Sequence, residues 1–195
     1  MVEQTLRYIR ILDCKQSLHI AEIGTGSGCV AISIAKYISS NHKGQKKIQI
    51  YATDISTAAI KIAKLNASRH KVLSKIKFLH GNLLEPLKNK KLDIIIANLP
   101  YLNADLKNLT NSSFSKSLRY EPSISLKGGK DGLSIYRNFF QQAAKLKHLP
   151  KYILTEIAHK QTKPLSAFIK KILPQGKIQV LKDLNNKDRV IVVTI

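Results

Sequence analysis

The stretch Leu18-His19-Ile20-Ala21-Glu22-Ile23-Gly24-Thr25-Gly26-Ser27-Gly28 decides the fold. A short apolar run over 18–23 ends on glycines, and apolar residues then recur at helical spacing over 30–38. This reads as strand, tight turn, helix. Glycines let the backbone turn sharply and let a ligand approach it closely. Nucleotide-binding folds share such loops. A triphosphate loop would carry Lys and then Ser or Thr after the glycines, whereas Cys29-Val30 follow Gly28 here, which argues against that class. A dinucleotide remains open from this segment alone.

Outward from the loop, the rhythm of strand and helix continues. Runs at 47–52, 76–80, 92–97, 151–156, 177–181 and 189–194 read as strands. Residues 56–69, 133–147 and 162–173 read as helices, with Ser56 as N-cap and Pro164 in a first turn. Alternating strands and helices imply a parallel sheet covered on both faces. Only the turn 183–187 separates the last two strands, and so short a link permits only an antiparallel pair. The expectation is an α/β, Rossmann-like chain. Its seven-stranded sheet is mostly parallel, with one antiparallel strand near the C-terminus, in a single domain over 1–195. Class I methyltransferases use that plan, although a plan alone does not establish function. The polar stretch 102–132, with Pro122 and Gly128-Gly129, breaks the rhythm and is expected to cover the active site.

Composition narrows the class. Apolar residues make up 44 %, enough for a sizeable core, and no apolar run reaches the ~18 residues of a membrane span. The opening Met1-Val2-Glu3-Gln4 has no secretory pattern, so a cytoplasmic monomer is expected, without membrane contact. Cys14 and Cys29 lack metal-ligand spacing, and Cys29, inside an apolar helix pattern, is expected to be a small core residue. The six histidines do not cluster, so no metal site is expected. Tyr8, Tyr37 and Tyr152 are expected to pack rather than stack on bases. Net charge is +21, nearly all from scattered lysines. That charge suits weak, salt-sensitive contact with ribosome or RNA, or it reflects lysine as the default surface residue.

Three polar positions flank the strands. Asp54 follows the second strand, where a carboxylate can accept hydrogen bonds from ribose hydroxyls or cap the next helix. Glu22 can anchor loop N–H groups or attract a cofactor ammonium group. Asn82 and Leu83, after the third strand, offer an amide and an apolar wall to an adenine ring, or form an ordinary turn.

The segment Ala97-Asn98-Leu99-Pro100-Tyr101 carries the chemistry. It stands at the carboxyl end of a buried strand, where open parallel sheets bind ligands. An amide or amino-purine nitrogen is a poor nucleophile, and its chief need is alignment with an activated methyl group. The Asn98 side-chain oxygen can accept one N–H and the Leu99 carbonyl the other, and both stabilise positive charge developing on nitrogen. Pro100 stiffens the backbone and biases Leu99 to an extended shape. The Tyr101 ring can pack on a flat amide or base. Asn98, Pro100 and Tyr101 are thus the candidate catalytic residues of an S-adenosyl-L-methionine-dependent N-methyltransferase, with Leu99 beside them in substrate binding.

Over nearly its whole length the chain resembles the release-factor glutamine methyltransferases. The likeness runs through 22–35, 52–56, 81–87 and 92–102. Its specific part is Tyr120-Glu121-Pro122 with Gly128-Gly129-Lys130-Asp131-Gly132-Leu133-Ser134-Ile135-Tyr136-Arg137, then Thr155-Glu156-Ile157 with Gln161, and Asp183-Leu184 with Asp188-Arg189. The resemblance implies methyl transfer to a glutamine side-chain nitrogen in the Gly-Gly-Gln loop of a peptide-chain release factor. Asn98, Pro100 and Tyr101 would hold the glutamine amide. Glu22, Gly24, Gly26, Asp54, Asn82, Leu83 and Asn98 would line the cofactor. Three departures stand out. Leu99 replaces a usual proline, Asn82 stands where an acid is more usual, and the family's N-terminal helical domain has no counterpart here. The chain is therefore expected to correspond to the catalytic domain.

Ribosomal RNA adenine-N6 methyltransferases use the same kind of tetrad, and the +21 charge suits RNA. The stretch 120–137 and the want of an added C-terminal helical domain weigh against them. A cofactor-binding or ribosome-associated remnant is a third reading, opposed by intact Asp54 and Asn98.

Overall fold

The computed structural model describes residues 1–12, 17–41, 47–99 and 132–195. Its helices are α1 (Val2–Ile11), α2 (Cys29–Asn41), α3 (Thr57–Arg69), α4 (Ser134–Ala144) and α5 (Thr162–Ile172). The strands are β1 (Leu18–Ile23), β2 (Ile48–Asp54), β3 (Ile76–His80), β4 (Ile94–Ala97), β5 (Tyr152–Glu156), β6 (Lys177–Lys182) and β7 (Asp188–Thr194). They form one sheet in the order β3-β2-β1-β4-β5-β7-β6. The pairs joining β3 through to β5 are parallel, and β7 runs antiparallel to both β5 and β6. This is the expected seven-stranded sheet with one reversed strand, the class I methyltransferase fold.

The central strands are apolar at nearly every position because both faces are covered. Ile20, Ile50, Ile94, Ile96, Leu154 and Val192 pack with residues of α1, α2 and α3. Ala21, Ile23, Ile95, Ile153, Ile191 and Val193 lie in a second cluster with α4 and α5. Strand order reverses between β1 and β4, and a ligand crevice forms at such a switch point, outside the carboxyl ends.

Local sequence explains several boundaries. Ser56 caps α3, its Oγ accepting from Ala59 N at 3.2 Å. The reversal before β7 is built by Asp183, which accepts from the N–H groups of Asn185 and Lys187 and from Arg189. The Lys187 N–H and Arg189 hold its carboxyl below the usual range. Helix α4 is shorter than expected and ends at Ala144, after which Leu146 N turns back to Ala143 O.

Two features differ from expectation. Helix α1 carries little local signal, because its N-cap, Met1, has no side-chain cap and the helix is only 10 residues long. It buries Leu6, Tyr8 and Ile9, and Tyr8 packs on Tyr152 with ring centres 4.2 Å apart. Tyr37 likewise packs, beneath the Arg10 guanidinium. Cys29 is exposed rather than a core residue. It begins α2, and the buried face of that helix is carried instead by Ala31, Ile32, Ile34 and Ala35. Among the described residues, no helix is long and apolar enough to cross a membrane.

Candidate active site

Strand register brings the candidate residues together. Ile23 pairs with Thr53 of β2 and with Ala97 of β4, so Gly24, Asp54 and Asn98 leave neighbouring strands at one level. Asp54 in turn pairs with His80, which sets Gly81 and Asn82 beside it. These residues line one edge, the carboxyl ends of the parallel strands.

Glu22 is buried, and its Oε2 accepts from Thr25 Oγ1 at 2.5 Å and from Ala31 N at 3.0 Å. The carboxylate thus ties the glycine loop to the start of α2. Burial pushes its pKa up to about 7, against the lowering effect of those two bonds, and the Asp54 charge adds to the rise. Asp54 is half-buried and ties two loops at once. Its Oδ2 accepts from Gly26 N and its Oδ1 from Ser56 N, each at 2.8 Å. Each oxygen keeps a further lone pair for an incoming hydroxyl. A Cβ built on Gly26 would meet nothing within 4 Å, so the loop presents bare backbone to open space. That combination suits an adenosine-type cofactor laid along the loop.

The turn after β3 is braced from two sides. Leu83 adopts φ 53°, which is costly for a residue with a Cβ. Thr53 Oγ1 donates to Leu83 O at 3.0 Å, and Gln142 Oε1, from α4, accepts from Leu84 N at 2.9 Å. The Asn82 amide donates to Glu85 Oε1 at 3.3 Å.

Asn98 is exposed at the end of β4, while Leu99 is buried. Leu99 points its side chain at the glycine loop, and a Cβ on Gly24 would lie 3.1 Å from Leu99 Cδ2 and 3.9 Å from Asn98 O. Gly24 also has φ +70°, so both close approach and backbone favour glycine there. Pro100, Tyr101 and most of the expected cover, 100–131, lie outside the described residues, as does Cys14.

Thr25, Thr53, Tyr136 and Gln142 take part in the site's bracing, although no expectation from sequence assigned them a role. Thr25, three residues after Glu22, was within reach of a capping argument. The others act across long stretches of chain and carry no local signal. Among the described residues, no three His, Cys, Asp or Glu side chains gather as a metal site.

The family model described as "Methyltransferase small domain" matches residues 5–120, and the chain belongs to that family, whose cofactor is S-adenosylmethionine. It is 35 % identical over 179 residues to the release factor glutamine methyltransferase of Moorella thermoacetica, covering 91 % of this chain and 59 % of that protein. With the release factor glutamine methyltransferase of Bacillus anthracis it shares 33 % identity over 183 residues, covering 92 % and 60 %. The chain thus spans about three fifths of the length of these curated relatives. A crystal structure of ribosomal protein L11 methylase from Lactobacillus delbrueckii subsp. bulgaricus has the same fold. Its TM-score is 0.61 at 19 % identity, covering 97 % of this chain and 75 % of that one.

Proposed function

We propose that this protein transfers a methyl group from S-adenosylmethionine to the side-chain amide nitrogen of a glutamine in the Gly-Gly-Gln loop of a peptide-chain release factor. The observation that carries the reading is the packing of Leu99 against Gly24, which brings the loop after β4, our proposed acceptor loop, against the glycine loop after β1. S-adenosylmethionine, when bound, supplies a methyl group already activated on a sulfonium. Gly24 and Gly26 would hold it along their backbone, with Glu22 and Thr25 keeping the loop in shape. Asp54 would take the ribose hydroxyls, and Asn82 and Leu83 would border the adenine. Asn98, which also borders the cofactor, would accept one amide N–H of the glutamine, and the Leu99 carbonyl would accept the other. Pro100 and Tyr101 would complete the acceptor pocket. Holding the nitrogen in line removes the need for a strong base before transfer: the sulfur would keep the broken S–C bonding pair as a neutral thioether, and the methylated amide would release its extra proton to solvent.

Support for glutamine over adenine comes from the relatives at 33–35 % identity that bear that name and from the resemblance over 120–137. A release-factor substrate sets the reaction in the cytoplasm. The +21 charge supports weak, salt-sensitive contact with the ribosome or its RNA. The test offers methyl-labelled cofactor with release factor in one reaction and ribosomal RNA in another. Label on the release-factor glutamine, located by mass spectrometry, is the expected result. Label in RNA alone overturns the glutamine assignment.

A further inference from the structure

The carbonyl at the heart of the acceptor loop already has a partner inside the protein. Tyr136, in the first turn of α4, is fully buried. Its hydroxyl lies 2.9 Å from Leu99 O and 2.6 Å from Glu156 O. Leu99 belongs to the loop after β4, and Glu156 is the last residue of β5. The two strands pair in parallel up to Ala97 and Thr155. Just beyond that last pairing, the phenol bridges the ends of the two strands.

A phenol has one proton to donate, and two carbonyls compete for it. The shorter bond goes to Glu156, and Leu99 shares the remainder. Such a partner fixes the direction of the Leu99 carbonyl while leaving its second lone pair for another N–H. Packing alone does not account for the hydroxyl. Helix α4 also buries Phe139 and Phe140, so this core accepts unsubstituted rings. A hydroxyl is costly to bury unless it is hydrogen-bonded. Here it meets the one carbonyl on which acceptor geometry depends. Helix α4 is itself held at its start, because buried Gln161 donates from Nε2 to Gly132 O at 3.1 Å.

We propose that Tyr136 is a positioning residue for methyl transfer: its hydroxyl sets the Leu99 carbonyl so that the acceptor nitrogen meets the methyl group on a fixed line. The proposal rests on the reading that Leu99 O accepts an N–H of the substrate.

The test compares wild type, Tyr136→Phe and a protein carrying 3-fluorotyrosine at position 136. Steady-state methylation of purified release factor is measured beside cofactor Kd and thermal melting. In Tyr136→Phe, kcat falls about 10- to 100-fold, as expected for a misaligned acceptor. KM for release factor and cofactor Kd stay within about threefold, because ground-state binding is untouched. The fluorinated protein keeps the hydroxyl and retains kcat within about threefold of wild type. Unchanged kcat in Tyr136→Phe overturns the proposal. So does a loss of kcat matched by lost cofactor binding, or one recovered at lower temperature, since Tyr136 would then serve only the fold. A wild type that labels RNA instead overturns the glutamine reading alone, and the same comparison is then made on RNA. A wild type that labels neither overturns both.

Discussion

Leu99 Cδ2 sits 3.1 Å from the position a Cβ would take on Gly24. The contact packs the loop after β4 against the loop after β1, the two loops proposed to hold acceptor and cofactor. Nothing larger than hydrogen fits at Gly24 without displacing Leu99.

Gly24→Ala should therefore damage both loops. The alanine must adopt φ +70° and push on a buried side chain. Stability should fall by about 1–3 kcal/mol. Cofactor affinity should fall, because the strained turn and the displaced Leu99 reshape the loop whose backbone is proposed to hold the cofactor. Calorimetric titration and thermal melting check both. Wild-type affinity in the variant would show that the loop tolerates a Cβ.

Glu22 makes stability depend on pH. Its folded pKa is pushed up to about 7 from an ordinary 4.5. Below 4.5 the group is protonated in both states. From 4.5 to 7 the unfolded chain releases its proton first, so raising the pH favours unfolding. Above 7 both states are ionised and the loss is complete. Across the window the loss approaches about 3 kcal/mol. Glu22→Gln keeps an acceptor for Thr25 and Ala31 and has no proton to release. Denaturant unfolding of both proteins at several pH values should show the wild type losing stability relative to the variant through this window. Parallel pH profiles would refute the account.

Asn98→Ala separates chemistry from binding. Asn98 is exposed, so stability should change by less than about 0.5 kcal/mol. Methyl transfer should fall about 10²- to 10³-fold, the usual loss when one stabilising group is removed. Cofactor Kd should stay near wild type. A large loss of cofactor binding would show that Asn98 holds the cofactor rather than the acceptor.

Ser56→Ala removes the cap of α3. Its Oγ accepts from Ala59 N, and loss of such a cap costs about 1 kcal/mol. Chemical denaturation should detect the change, with catalysis unaltered at assay temperature. An unchanged midpoint would mean that water replaces the cap at no cost.

Much of this molecule was legible in the amino-acid sequence, because it depends on neighbours along the chain. Short apolar runs marked all seven strands. The turn 183–187 announced the reversed strand, and Ser56 announced its helix. Asp54 and Asn98 stood out as polar residues at strand ends. Local pattern failed where burial, not periodicity, decides. Cys29 sits in an apolar pattern yet faces solvent, and α1 carries no capping signal. Only the tertiary structure decided strand order, and with it which loops touch. Tyr136 reaches Leu99 across 37 residues, and Gln142 reaches Leu84 across 58. Such contacts exist only after the sheet has placed β4 beside both β1 and β5, and the same placement gathers the loop after β4, the glycine loop and Asp54 at one edge.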